Sequence, residues 1–90
     1  MMRVSRTSQT PDYDAFCALL KKLREEKGLT QTALADRLKV PQSFVSKYET
    51  GERRLDFIET IHVCAALGFT MEKFVKAHDK FIKAQGGRIR

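Results

Sequence analysis

No stretch of this 90-residue chain approaches the roughly 20 consecutive apolar residues that a bilayer-spanning helix requires. Its opening residues, MMRVSRTSQT, lack the apolar segment of a secretory signal, so the chain is expected to be cytoplasmic. Cysteine is scarce: Cys17 and Cys64 stand apart and form no C-x-x-C pair. With no export signal, both are expected as reduced core residues rather than a disulfide. His62 and His78 have no partners at metal-ligand spacing. No glycine-rich phosphate loop or nucleophile motif is present. An enzyme is therefore not expected, nor a metal or cofactor. Internal repeats, low-complexity segments and strand patterns are also missing. A separate effector domain is not expected either, so regulation is expected through concentration, dimerisation or a partner protein.

Negative charge is in the minority, with 11 Asp and Glu against 17 Lys and Arg, for a net charge of +6. An excess of that size fits an anionic partner, nucleic acid or an acidic membrane surface, although many small basic proteins bind neither. The length suits one compact core.

What is present is organised around residues 31–51, QTALADRLKVPQSFVSKYETG. Two helical runs, residues 31–38 and 42–49, flank a break at Lys39-Val40-Pro41. Leu34 and Leu38 are four apart and share a face of the first run, with Ala35 beside them. Val45 and Tyr48 are three apart and share a face of the second. The break is too short to let the helices separate, so these faces must close on one another at a steep angle. That is a helix-turn-helix, whose second helix leaves its outer face free for a DNA groove.

Around this unit the pattern predicts an all-α chain. Residues 1–12 are polar and aperiodic, either a flexible tail or, through Arg3 and Arg6, a basic arm lying along DNA. A first helix is expected over 13–27, started by Asp12 or Pro11-Asp12 and stopped by Gly28. Phe16, Leu20 and Leu23 form its stripe, with Tyr13 and Cys17 beside it and Arg24 at the edge. Thr30 caps the second helix, and Lys39 occupies a left-handed turn position where glycine would cost less. Pro41 fits the first turn of a third helix, 41–49, whose outward residues are Gln42, Ser43, Ser46 and Lys47. Phe44 is expected against helix 2 or the loop, the alternative being a thymine methyl. A fourth helix, 56–67, presents Phe57, Ile61, Cys64 and Leu67, with His62 on its surface. Thr70 caps a fifth, Met71–Ala84, where Met71, Phe74, Val75, His78, Phe81 and Ile82 oppose Lys73, Lys76, Lys80 and Lys83. The tail 86–90 should be flexible.

Residues from about 20 to 74, about two thirds of the chain, resemble the Cro and lambda-repressor-like helix-turn-helix family, often called the XRE family. The carrying motifs are LLKKLREEKGLTQTALADRLKV, PQSFVSKYETGERR and the ALG that closes helix 4. The resemblance implies a five-helix bundle, all-α, that binds operator DNA, usually as a two-fold dimer. It places Gln31 at a phosphate contact and Gln42, Ser43 and Lys47 at base edges, where Gln suits adenine and Lys suits guanine. Ser46 serves a base or a phosphate. Arg53 and Arg54 look like phosphate anchors, which hold register without reading sequence. Arg24 and Glu49 resemble a buried ion pair joining helix 1 to the end of helix 3. Lys39 and Pro41 depart from the family, and Pro41 offers no capping hydroxyl for a phosphate contact there.

The domain expected is therefore a helix-turn-helix unit over 13–69 with a C-terminal helix over 70–85. Its expected function is a sequence-specific double-stranded DNA-binding transcriptional regulator, a repressor, acting as a homodimer. The alternatives are a protein-interaction module, such as a toxin-neutralising antitoxin, or a restriction-modification controller. The apolar stripe of helix 5 is longer than the core needs. It either docks back on helices 1 and 4 or, as preferred from sequence, pairs with its twin through Phe74, Val75, His78, Phe81 and Ile82.

Overall fold

The computed structural model describes residues 10–85, and five α-helices account for most of them: α1 Pro11–Glu26, α2 Gln31–Leu38, α3 Gln42–Glu49, α4 Phe57–Ala66 and α5 Met71–Ala84. There is no strand among the described residues. Most of the expected N-terminal tail or arm, including Arg3 and Arg6, and the tail 86–90 lie outside them.

Side-chain oxygens start four of the helices. Thr10, Thr30 and Thr70 each accept a hydrogen bond from an amide three residues on, at 3.0, 3.0 and 3.1 Å. Each satisfies one of the orphan donors of a first helical turn. Asp56 and Glu59 form a reciprocal capping box at α4, the arrangement that satisfies two donors at once. α1 thus begins at Pro11, two residues before the expected Tyr13, because Thr10 caps it and the fixed φ of proline suits the first turn. The third helix begins one residue late. Pro41 sits outside it as an extended N-cap (φ −66°, ψ 152°) without a side-chain cap bond. Lys39 does adopt the left-handed conformation, φ 60° and ψ 45°, which turns the chain sharply between α2 and α3.

The helices close in a ring about one core. α3 packs on α1 and α2, α2 on α4, α4 on α5, and α5 returns to α1. Leu20, Leu34, Val45, Tyr48, Val63, Cys64 and Leu67 are fully buried at its centre. Each large aliphatic among them contributes about 1.5–3 kcal/mol. Cys17 and Cys64 are buried free thiols. The α4 stripe differs from the expected one at its start. Phe57, at the first helical position and one turn before the first buried residue Thr60, is 66 % exposed.

α5 docks on α1 and α4. The ring of Phe74 meets that of Phe16 edge-on at 6.0 Å, with His78 6.3 Å from Phe16. Phe74 is 4 % and Ile82 6 % exposed, so neither is available to a twin. Of the stripe expected to pair with a twin, Phe74 and Ile82 are thus buried within this chain. His78 and Phe81 are half-buried, and Val75, at 55 %, faces solvent.

Candidate nucleic-acid interface

α3 is divided lengthwise. Val45 and Tyr48 are buried, whereas Gln42, Ser43 and Lys47 are exposed and Ser46 is half-exposed. The four residues expected to read bases therefore lie on one outward surface. Lys47 makes no ion pair among the described residues.

Gln42 is held from behind. Its Nε2 donates to Oε1 of Gln31 at 2.7 Å, and Gln31 Nε2 donates to Oε1 of Glu49 at 2.9 Å. A carboxylate can only accept, so Gln31 must turn its amide nitrogen to Glu49 and its oxygen to Gln42. Gln42, which is exposed, is thereby left with its own oxygen and one amide hydrogen not engaged by this bond. Those two groups match the N6 donor and N7 acceptor of adenine. Gln31, expected at a phosphate, keeps one amide hydrogen for that purpose.

The relay ends in the core. Glu49 accepts from Arg24 Nε at 2.7 Å and Nη2 at 3.0 Å, and Arg24 Nη1 donates to the Leu29 carbonyl at 2.8 Å. The two side chains are only 8 % and 2 % exposed. Hydrogen bonding to Glu49 raises the guanidinium pKa against the opposing effect of burial. Arg24 and Glu49 are brought together as the resemblance implies, and they join α1 to the end of α3.

After α3 the chain turns at Gly51, whose φ of 83° is left-handed. The Arg53 amide donates back to the Lys47 carbonyl at 3.1 Å. Arg53 is not simply a solvated anchor. It donates to both carboxylate oxygens of Glu59, at 3.1 and 2.8 Å, and its guanidinium stacks 4.5 Å over the Phe44 ring. Glu59 is held below the usual carboxylate range by Arg53 first and the Asp56 amide second. Arg54 lies 4.1 Å over the ring of Tyr13, whose hydroxyl accepts from the Leu55 amide. Both arginines thus stand at the end of the recognition helix on aromatic supports.

Sequence reasoning missed Glu59 as the partner of Arg53, although Asp56 and Glu59 carry the capping-box spacing. It also missed the Gln31–Gln42 bond, which no periodicity announces. Phe44 packs inward, with Leu38, Val40 and Val63 lining the same notch. His62 is exposed. No group of three or more His, Cys, Asp or Glu among the described residues is placed to hold a metal ion. No helix there is long and apolar enough to cross a membrane.

Two short helices locked by a common core, the second with a polar outer face backed by oriented amides, define a helix-turn-helix domain. A helix-turn-helix family model matches residues 20–74. The chain belongs to the XRE family of helix-turn-helix proteins. It is 33 % identical over 61 residues to an uncharacterised HTH-type transcriptional regulator, YqaE, of Bacillus subtilis strain 168, a match covering 68 % of this chain and 53 % of that protein. The chain therefore spans about half the length of that curated relative. An XRE-family-like protein from Pseudomonas syringae pv. tomato DC3000 superimposes with a TM-score of 0.71 at 42 % identity, over 77 % of this chain and 84 % of the other. A variant of the restriction-modification controller protein C.Esp1396I gives 0.77 at 26 % identity, over 82 % and 94 %.

Proposed function

We propose that this chain is a sequence-specific, double-stranded DNA-binding transcription regulator, a cytoplasmic and non-enzymatic repressor acting as a homodimer. The observation that carries it is the amide relay. Gln42 is oriented by Gln31, Glu49 and Arg24 so that a donor and an acceptor face outward from α3 before DNA arrives. In the major groove, Gln42 reads an adenine and Lys47 a guanine, while Ser43 and Ser46 contact a base edge or a phosphate. Gln31, Arg53 and Arg54 hold phosphates. Arg53 does so while sharing its guanidinium with Glu59, which takes two of its five N–H groups.

A two-fold dimer places two such helices about 34 Å apart, one turn of the duplex. With Phe74 and Ile82 internal, the exposed large apolar side chains among the described residues are Phe57 and Ile58 on α4 and Val75 on α5. These are the groups that a symmetric contact would bury. Likeness to a restriction-modification controller supports a second reading, a restriction-modification controller that uses the same DNA-binding surface.

Selection from random duplexes followed by titration tests the reading. Lys47→Ala should lose discrimination at one base pair. Arg53→Ala and Arg54→Ala should weaken binding to all sequences alike and lower the salt slope by about 1 each. Equal, salt-insensitive binding to every duplex overturns it. Sedimentation with Ile58→Glu and Val75→Glu tests the dimer, which should dissociate.

A further inference from the structure

One surface takes no part in this DNA reading. Between the C-terminal halves of α1 and α5 runs an open groove of about 560 Å³, within the range of about 300–1,000 Å³ found for ligand clefts. Its floor is apolar, made by the half-buried Ala77 and Phe81 over the buried Leu19 and Leu23, and its rims carry Lys22 and Lys80. Glu26 also lines it, but its carboxylate is taken up by Lys22 at 2.9 Å.

The lysines of α5 adjoin this groove. At 3.6 residues per turn, Lys73, Lys76, Lys80 and Lys83 fall within an arc of about 80°, and all four are exposed. Going round α5 from Ala77 and Phe81, this basic stripe comes first and the acids Glu72 and Asp79 lie beyond it. Of the four, Lys76 alone has an acidic partner among the described residues, Glu72 at a loose 3.8 Å. An apolar floor with a basic margin is complementary to a segment that is apolar on one side and acidic on its flanks.

We propose that the α1–α5 groove is a docking site for an acidic amphipathic helix of a partner protein, received with its apolar stripe on Ala77 and Phe81 and its carboxylates along the α5 lysines. The lysine stripe is about 15 Å long, so the fitting element is about three turns, with apolar residues at three- and four-residue spacing. A second copy fits poorly, because its own groove would bring lysine against lysine. The residues following Gln85 carry Arg88 and Arg90 and no acid, so they have the wrong sign. Bare nucleic acid would satisfy the lysines but leave the apolar floor uncovered.

The test is selection from a random helical-peptide library on the full chain, with counter-selection on Lys80→Glu/Lys83→Glu. Both positions are exposed, and the variant's folding is confirmed by circular dichroism and by retained duplex binding through α3. Enriched peptides should be net acidic with apolar residues at helical spacing. Their affinity should fall by about tenfold or more in the charge-reversed variant, and be unchanged in Lys47→Ala. Amide shifts on binding should centre on Ala77 and Phe81. The proposal is overturned if no peptide is enriched over the variant, or if enriched peptides are neutral or basic. It is also overturned if charge reversal abolishes self-association, or if it weakens duplex DNA by a like factor instead. Because Lys80 and Lys83 lie outside the DNA-reading surface, its failure leaves the DNA reading standing, and the converse holds.

Discussion

The Arg24–Glu49 pair allows stability and DNA readout to be separated. Arg24→Met strands the Glu49 carboxylate, whose side chain is 2 % exposed, with Gln31 as its remaining donor. Removing one member of a buried pair costs about 3–5 kcal/mol, a large share of the ~5–15 kcal/mol that holds a domain together. The single variant is expected to lose that much in urea denaturation with an unchanged slope. In Arg24→Met/Glu49→Met no charge remains buried. Stability should return to within about 1 kcal/mol of the parent, since apolar replacement of a whole pair is often neutral. Readout should not return with it. Without the carboxylate, Gln31 has nothing to fix its amide orientation, and Gln42 loses the partner that sets its own. Discrimination at the base pair facing Gln42, worth about 1–3 kcal/mol for a good bidentate contact, should fall while non-specific affinity holds. Titration of a selected duplex and its single-base variants measures this. A double variant that is stable and fully discriminating would refute the relay, and a single variant costing under about 1 kcal/mol would refute the burial argument.

Three further outcomes follow from other side chains. The Tyr48 hydroxyl is buried without a hydrogen-bond partner, so Tyr48→Phe should stabilise by about 1 kcal/mol, raising Tm by about 4–8 °C; a comparable loss on thermal melting would mean that the hydroxyl is satisfied. The lowered pKa of Glu59 contributes stability that is present above its unfolded value near about 4.3 and lost as pH falls through the lower folded value. Glu59→Gln should therefore flatten the acid limb of a stability–pH profile in that window, and an unchanged limb would remove the pair from the account. Burial pushes the Cys64 thiol up to about 11 and raises Cys17 as well, so both should resist a thiol reagent at about pH 8 until the chain unfolds; labelling as fast in buffer as in urea contradicts this.

The turn and the caps were legible because local chemistry decides them. Thr30 and Thr70 have hydroxyls at the right place, and Lys39 sits where the chain must reverse. Thr10 carried the same signal, strengthened by Pro11, and was passed over for Asp12. Apolar periodicity proved weaker: it says which side chains share a face, but not what covers that face. Phe74 and Ile82 share the α5 stripe with Val75, yet the fold buries the first two and leaves the third in solvent. Phe57 shares its spacing with Cys64 but lies beyond the packed part of α4. Arginine is still less legible. Arg24 and Arg53 are both cations in basic surroundings, and only the fold brings Glu49 to one and Glu59 to the other. Arg24 was placed by resemblance to a family, while for Arg53 the motif gave a phosphate and was silent about the carboxylate.

That difference bears on how this surface reads DNA. Gln42 belongs to a continuous network running from a buried guanidinium through a carboxylate and one amide, so its outward polarity is fixed by groups that also hold α1 to α3. Lys47, by contrast, has no ion pair among the described residues and projects from the same helix on a flexible stem. The two positions proposed to read bases therefore answer to different pressures. A change at Lys47 retunes one base contact and leaves the fold alone. A change at Gln42 leaves the Gln31 oxygen without its donor, and one at Gln31 reaches the buried Glu49 directly. Specificity at the Gln42 end is tied to folding, and specificity at the Lys47 end is open to alteration at little structural cost.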